Sequence, residues 1–131
     1  MNMKKIDVII KRGKDGMFIA IPEHDYPIGL HGYGKTANEA ISDLNTVCNE
    51  AKEFYPELPN FEYNIKYEIP SFLREYSQLF TLAGLQKITG VNQKQLSHYL
   101  NGNSYPSKQT SEKIKLGFES FRQNISKVQF A

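Results

Sequence analysis

Between positions 93 and 101 the chain reads Gln93, Lys94, Gln95, Leu96, Ser97, His98, Tyr99, Leu100, Asn101. At helical spacing, Gln93, Lys94, Ser97, His98 and Asn101 gather on one face, and Leu96, Tyr99 and Leu100 on the other. The polar face has the chemistry of a groove reader. A glutamine pairs bidentately with adenine, and a lysine donates to guanine N7 and O6. Serine, asparagine and histidine suit phosphate oxygens or base edges. The first residues of such a helix enter a groove deepest. Gln93, Lys94 and His98 are therefore expected on bases, and Gln95, Ser97 and Asn101 nearer the sugar-phosphate backbone.

The elements that must position this face are legible on both sides. Residues 81–89 read as a helix whose Leu82, Leu85 and Ile88 face inward. Gly90 stands where the chain must turn sharply, since glycine tolerates a left-handed backbone. Val91 plugs the turn and Asn92 caps the next helix. Helix, glycine turn and helix together make a helix-turn-helix layout, whose partner is duplex DNA. Ser71 is expected to cap a preceding helix running to Phe80, and a last helix carries Ile114 and Phe118 after a loop at 101–107. A purely structural bundle with a polar outer face is the competing reading of the same pattern.

Thr81, Leu85, Gly90, Val91, Leu96, Gly102 and Pro106 give 71–125 a form that resembles the lambda-repressor-like (Cro/C1 type) helix-turn-helix family. One position departs from it. Four residues before the turn glycine the family usually holds a small alanine, and this chain has Gln86.

The first half reads differently. Ile6, Val8 and Ile10 alternate as a strand, and Met17 to Ile21 as a second, with Gly13, Lys14, Asp15 and Gly16 as the turn of a hairpin. Residues 23–29 are loop-like, and Ile28 to Tyr33 supply a short third strand. Thr36 opens a helix with Glu39 at capping-box spacing. Ala40, Ile41, Leu44, Val47, Cys48, Ala51 and Phe54 form its apolar stripe, with Cys48 a packed core thiol. Pro56 and Pro59 end the helix. Phe61, Tyr63, Ile65 and Tyr67 alternate as a fourth strand, and Pro70 breaks this unit from the next. The expected class is α+β: a β-β-β-α-β domain over 1–69, then an all-α helix-turn-helix domain over 70–131.

Phe18, Ala20, Pro22 and Glu23, followed by Gly34, Thr36, Glu39 and Ala40, make this first half resemble the HicB antitoxin family. Where the family's loop carries a Pro-Gly-Cys-like turn, this chain has Tyr26, Pro27, Ile28 and Gly29. The resemblance implies a pared-down ribonuclease H-like fold. It also implies a partner, a HicA-like ribonuclease toxin whose active site the antitoxin covers, and repression of the shared operon as a dimer or higher oligomer.

A ribonuclease H-like fold raises catalysis in its own right, which needs carboxylates converging on metal ions. Asp7, Glu23, Asp25, Glu39 and Asp43 are the acids available. Glu39 has a capping role, Asp43 sits on the solvated face of its helix, and the others are scattered over strand and loop. No catalytic set is expected. His24 and His31 lack a third ligand at readable spacing, so neither a metal nor another cofactor is expected. Lys11, Arg12, Gly13 and Lys14 read as a solvated hairpin tip.

Bulk properties agree with a soluble two-part protein. Net charge is only +2 over 131 residues. It is unevenly placed: 1–60 hold seven Lys/Arg against nine Asp/Glu, and 61–131 hold nine against five. An acidic front and a basic back suit a protein whose second half meets phosphate. The single cysteine allows no disulfide framework or zinc set within one chain. No apolar run approaches the ~18 residues of a membrane span. The first residues are interrupted by Asp7, unlike a signal peptide. A cytoplasmic, non-enzymatic antitoxin and autorepressor is expected. The alternatives are a stand-alone transcription regulator with a ligand-sensing first domain, and a nuclease.

Overall fold

The structure, a computed structural model, describes residues 3–13, 16–23 and 29–131. It is a mixed α and β protein with four strands and five helices among the described residues. The chain divides into two compact units, Met1–Ser71 and Phe72–Ala131. Lys14 and Asp15 of the expected hairpin turn, and His24, Asp25, Tyr26, Pro27 and Ile28 of the expected loop, lie outside the described residues.

In the first unit, β1 (Met3–Arg12) buries Ile6, Val8 and Ile10 on one face of a pleated strand. β2 (Phe18–Pro22) runs back antiparallel, with Ile10 opposite Ala20 and Arg12 opposite Phe18. The Gly13 amide donates to the Met17 carbonyl at 2.7 Å and Gly16 takes a φ of 77°, which closes the hairpin. β3 (Gly32–Gly34) adds to the other side of β2. Of the expected strand, Ile28 lies outside the described residues and 29–31 are not paired; only Gly32–Gly34 run alongside β2.

β4 (Asn60–Tyr67) pairs parallel with β1, Ile6 opposite Tyr63 and Val8 opposite Ile65. The sheet order is β3-β2-β1-β4. A parallel neighbour needs a crossover, and α1 (Ala37–Ala51) lies on the path that supplies it, between β3 and β4. Ala37, Ala40 and Leu44 pack with Ile6, Val8, Ile10, Phe18 and Ala20, and Phe61, Tyr63, Ile65 and Tyr67 close over that core.

Several local expectations are corrected here. Thr36 Oγ1 accepts from the Glu39 amide at 3.1 Å, as a cap should, but the Glu39 carboxylate accepts from the Lys35 amide at 2.8 Å and not from Thr36. The box is displaced by one residue on its return side. Asp43 is not merely solvated: its carboxylate accepts from the Tyr33 amide at 2.8 Å and ties α1 to β3. α1 stops at Ala51, before either proline, and the Phe54 amide folds back onto the Ala51 carbonyl in the turn that follows. Phe54 thus leaves the stripe and is 79% exposed.

α2 (Ile69–Tyr76) begins in the first unit and ends in the second. Pro70 lies in its first turn, where a missing N–H loses no bond, so the proline does not interrupt the chain. Ser71 is consequently inside the helix and buried, not a cap, and the helix ends at Tyr76, short of Phe80.

α3 (Leu82–Thr89), α4 (Gln93–Asn101) and α5 (Lys108–Ser126) follow in the second unit. Each starts at a side-chain oxygen that takes the amide three residues on. Thr81 accepts from Gly84 at 2.9 Å, Asn92 from Gln95 at 2.8 Å and Ser107 from Thr110 at 3.1 Å. Leu73, Leu85, Val91, Leu96, Tyr99 and Ile114 are buried, with Leu82 and Ile88 half-buried. Phe118 meets Phe72 edge-on, ring centroids 4.8 Å apart, and Phe80 meets Phe121 at 5.8 Å. Among the described residues, no helix is long and apolar enough to cross a membrane.

Candidate nucleic-acid interface

The joint between α3 and α4 is built from short-range chemistry. Gly90 holds a φ of 74° and its amide donates to the Gln86 carbonyl at 2.7 Å, the left-handed helix end that glycine permits. Thr89, buried, uses its hydroxyl twice: it donates to the Leu85 carbonyl at 2.8 Å and accepts from the Val91 amide at 3.1 Å. Val91 then fills the inside of the turn with 7% exposure.

Gln86, the position that departs from the family pattern, has a definite part. Its Oε1 accepts from the Gln93 backbone amide at 3.1 Å, a donor in the first turn of α4 that has no intrahelical partner. A second bond thus fixes α4 against α3 beside the Gly90 turn. The sequence carries no signal for Gln86 in this role, because its bond depends on where α4 lies, whereas Thr89 bonds only to near neighbours on either side of the helix end.

The residues expected to read nucleic acid are brought onto one element. Gln93, Lys94, Gln95 and Asn101 are exposed, and Ser97 and His98 are half-buried. Leu96 and Tyr99 form the inner face, with 0% and 2% exposure. Lys94, Ser97, His98 and Asn101 therefore line the outward side of α4 together. Gln95 is set apart from them. Its Nε2 donates to the Tyr99 hydroxyl at 2.9 Å, so its amide supports the inner tyrosine. The Gln93 backbone is held by Gln86, while its side chain stays on the exposed surface.

The second unit carries an excess of positive charge. Residues 72–131 carry eight Lys/Arg against three Asp/Glu. Lys113 of α5 passes over the turn: a Cβ built on Gly90 would lie 3.0 Å from its Cε and 3.5 Å from its Nζ. A cation is thereby held at the negative end of the α3 dipole.

Among the described residues, the acids of the first unit that are candidates for catalysis fall on two sides of the sheet. Asp7 accepts from Asn64 Nδ2 at 2.8 Å and pairs with Lys66 Nζ at 2.9 Å. This partner, through hydrogen bond and charge, raises the Lys66 ammonium above the ordinary lysine range. The Glu23 amide donates to the Asp7 carbonyl, which sets the two acids side by side across β1 and β2. Glu39 and Asp43 serve α1 and β3, on the opposite side of the sheet. His31 is exposed, and among the described residues no group of three or more His, Cys, Asp or Glu is placed to hold a metal ion. An open groove beside β3 is lined by Tyr33, Lys35, Glu39, Ser42, Asp43 and Thr46. Comparison of the chain with protein-family models, with curated proteins and with solved structures returns no match to any of them.

Proposed function

We propose that this protein is an antitoxin of a type II toxin-antitoxin system that also represses its own operon. In this reading the first unit is a HicB-like domain that neutralises a HicA-like ribonuclease toxin. The second is a lambda-repressor-like helix-turn-helix that holds operator duplex DNA, acting as a homodimer or higher oligomer in the cytoplasm. The observation that carries it is the α3–Gly90–α4 joint with Lys94, Ser97, His98 and Asn101 on the outward side of α4. A turn fixed by two hydrogen bonds, presenting a polar helix from a unit with an excess of Lys/Arg, fits major-groove entry. The excess of acids in residues 1–71, eleven against eight Lys/Arg, supports a basic partner for the first unit.

The test has two arms. Gln93→Ala with Lys94→Ala abolishes binding to DNA from the protein's own promoter region, measured by fluorescence anisotropy, and leaves neutralisation of the neighbouring small gene product intact. Unchanged affinity in that variant refutes α4 as the reading helix. Loss of neutralisation together with DNA binding refutes the division of labour between units.

A second reading is a stand-alone transcription regulator whose first unit senses a small ligand, for which the polar groove beside β3 offers a surface. Growth arrest by the neighbouring gene, relieved by this protein, decides for the antitoxin. A neighbouring gene that is harmless when expressed alone decides for the regulator.

A further inference from the structure

The chain leaves α1 through a hydrogen-bonded turn. The Phe54 and Tyr55 amides both donate to the Ala51 carbonyl, at 3.0 and 2.9 Å, and the Leu58 amide donates to the Tyr55 carbonyl at 3.0 Å. Leu58 is buried and anchors the turn. The backbone thereby holds two aromatic rings outward, Phe54 with 79% and Tyr55 with 45% exposure. Glu50, Glu53 and Glu57, on either side of them in the chain, are also exposed. Lys52 is the one cation among residues 49–59, and its ammonium donates to Asn60 Oδ1. The charge has the less favourable sign for its place. A helix C-terminus is the negative end of the dipole and prefers a basic residue. The last turn of α1 holds none, and carries Glu50 instead. A lone exposed apolar residue is ordinary, but two rings held out among like charges at a helix end mark a contact surface.

We propose that this turn docks a basic, arginine-bearing protein, whose guanidinium groups lie on the Phe54 and Tyr55 ring faces and pair with the flanking glutamates. Arginine is the cation suited to such a surface. Its guanidinium is flat and weakly hydrated, stacks on aromatic faces and presents a fork of donors to a carboxylate. Aromatic rings and arginines also dominate the energy of protein interfaces. The charge of the turn argues against other occupants. Three glutamates against one lysine in 49–59 repel a phosphate backbone, an anionic lipid surface and the same turn of a second copy. The proposal rests on the reading that the first unit meets a basic toxin, and it names the surface where the two meet.

The test follows the backbone amides of the isotope-labelled full chain by nuclear magnetic resonance. The chain is titrated with a synthetic peptide of alternating arginine and glycine, and separately with the neighbouring small gene product. Both are expected to shift the amides of 50–58 above all others. Phe54→Ala with Tyr55→Ala keeps the dispersed spectrum of the fold and weakens peptide binding by about fivefold, the size of an exposed cation–π contact. Glu50→Gln with Glu53→Gln and Glu57→Gln weakens both ligands and removes most of their salt dependence. Peptide shifts centred elsewhere, or an aromatic variant that binds the peptide as the native chain does, overturn the proposal. A neighbouring product that binds and leaves 50–58 unmoved also overturns it. Amides of 50–58 that shift with the chain's own concentration overturn it too, because the occupant is then the basic second unit of another copy. A neighbouring product that does not bind at all sinks the antitoxin reading, and the peptide titration still decides what the turn receives.

Discussion

The Gln86 carboxamide takes over an amide of α4 that no helix bond can reach. Gln86→Ala is expected to lower the stability of the second unit by about 1 kcal/mol, the range of a lost helix-start bond, as read by urea denaturation. An unchanged midpoint would mean that water replaces the side chain. Lys66 offers a second test through pH. Its partner Asp7 raises its titration point, so the pair's stabilisation is fully present below the unfolded lysine value and is lost as pH rises through the raised one. The melting temperature of Lys66→Gln should therefore lie slightly below that of the native chain at pH 7, and the two should converge above the lysine range. The difference is small because the pair is exposed. What sequence made legible at this scale was chemistry between near neighbours: Thr36, Gly90 and Asn92 each act on residues three or four positions away. The bonds from Gln86 to Gln93 and from Asp43 to Tyr33 needed the placement of one element on another, which no local spacing encodes.

Strand and helix periods identified most elements, since alternation at Ile6, Val8 and Ile10 and the stripe at Ala40, Leu44 and Cys48 each describe one buried face. The parallel pairing of β4 with β1 was not legible, because Phe61, Tyr63, Ile65 and Tyr67 alternate identically for either neighbour and either direction. Close backbone approach was equally hidden. A Cβ on Gly32 would stand 2.1 Å from the Ala40 carbonyl oxygen, and one on Gly117 would stand 2.3 Å from the Ile88 carbonyl oxygen. In both places the obstacle is backbone, which no rotamer change removes, so each glycine sets how closely two elements pack. Gly32→Ala must lift α1 from β3, and Gly117→Ala must part α5 from α3. Each is expected to destabilise its own unit by about 1–3 kcal/mol, as overpacked cores do. Hydrogen exchange resolved along the chain checks this. Protection should fall first in 3–67 for Gly32→Ala and in 82–126 for Gly117→Ala. Native protection in either variant would show that the backbones can separate cheaply.

A net charge of +2 gives the whole molecule no strong attraction for nucleic acid, but the two units divide that charge unequally. Residues 72–131 hold eight Lys/Arg against three Asp/Glu, and residues 1–71 hold eight against eleven; under the proposed function the first would be the field a duplex meets and the second would belong to a different encounter. If DNA binding is driven by phosphate neutralisation, its affinity falls linearly with salt on logarithmic axes, by about 0.9 for each phosphate contacted. The slope then separates the two kinds of contact expected of the second unit. A lysine on phosphate, when replaced by glutamine, weakens binding to every sequence and reduces the slope by about one. A residue on a base edge instead loses discrimination at one base pair, roughly 1–3 kcal/mol, with little change in slope. Lys113, held over the Gly90 turn, is expected to behave in the first way. Gln93, at the exposed start of α4, is expected to behave in the second. Anisotropy titrations of Lys113→Gln and Gln93→Ala from 50 to 200 mM salt, on the operator and on an unrelated duplex, measure both quantities at once. Equal losses on both duplexes for Gln93→Ala would move that residue from the bases to the backbone, and an unaltered slope for Lys113→Gln would take the α3–α5 side of the turn out of the phosphate contact.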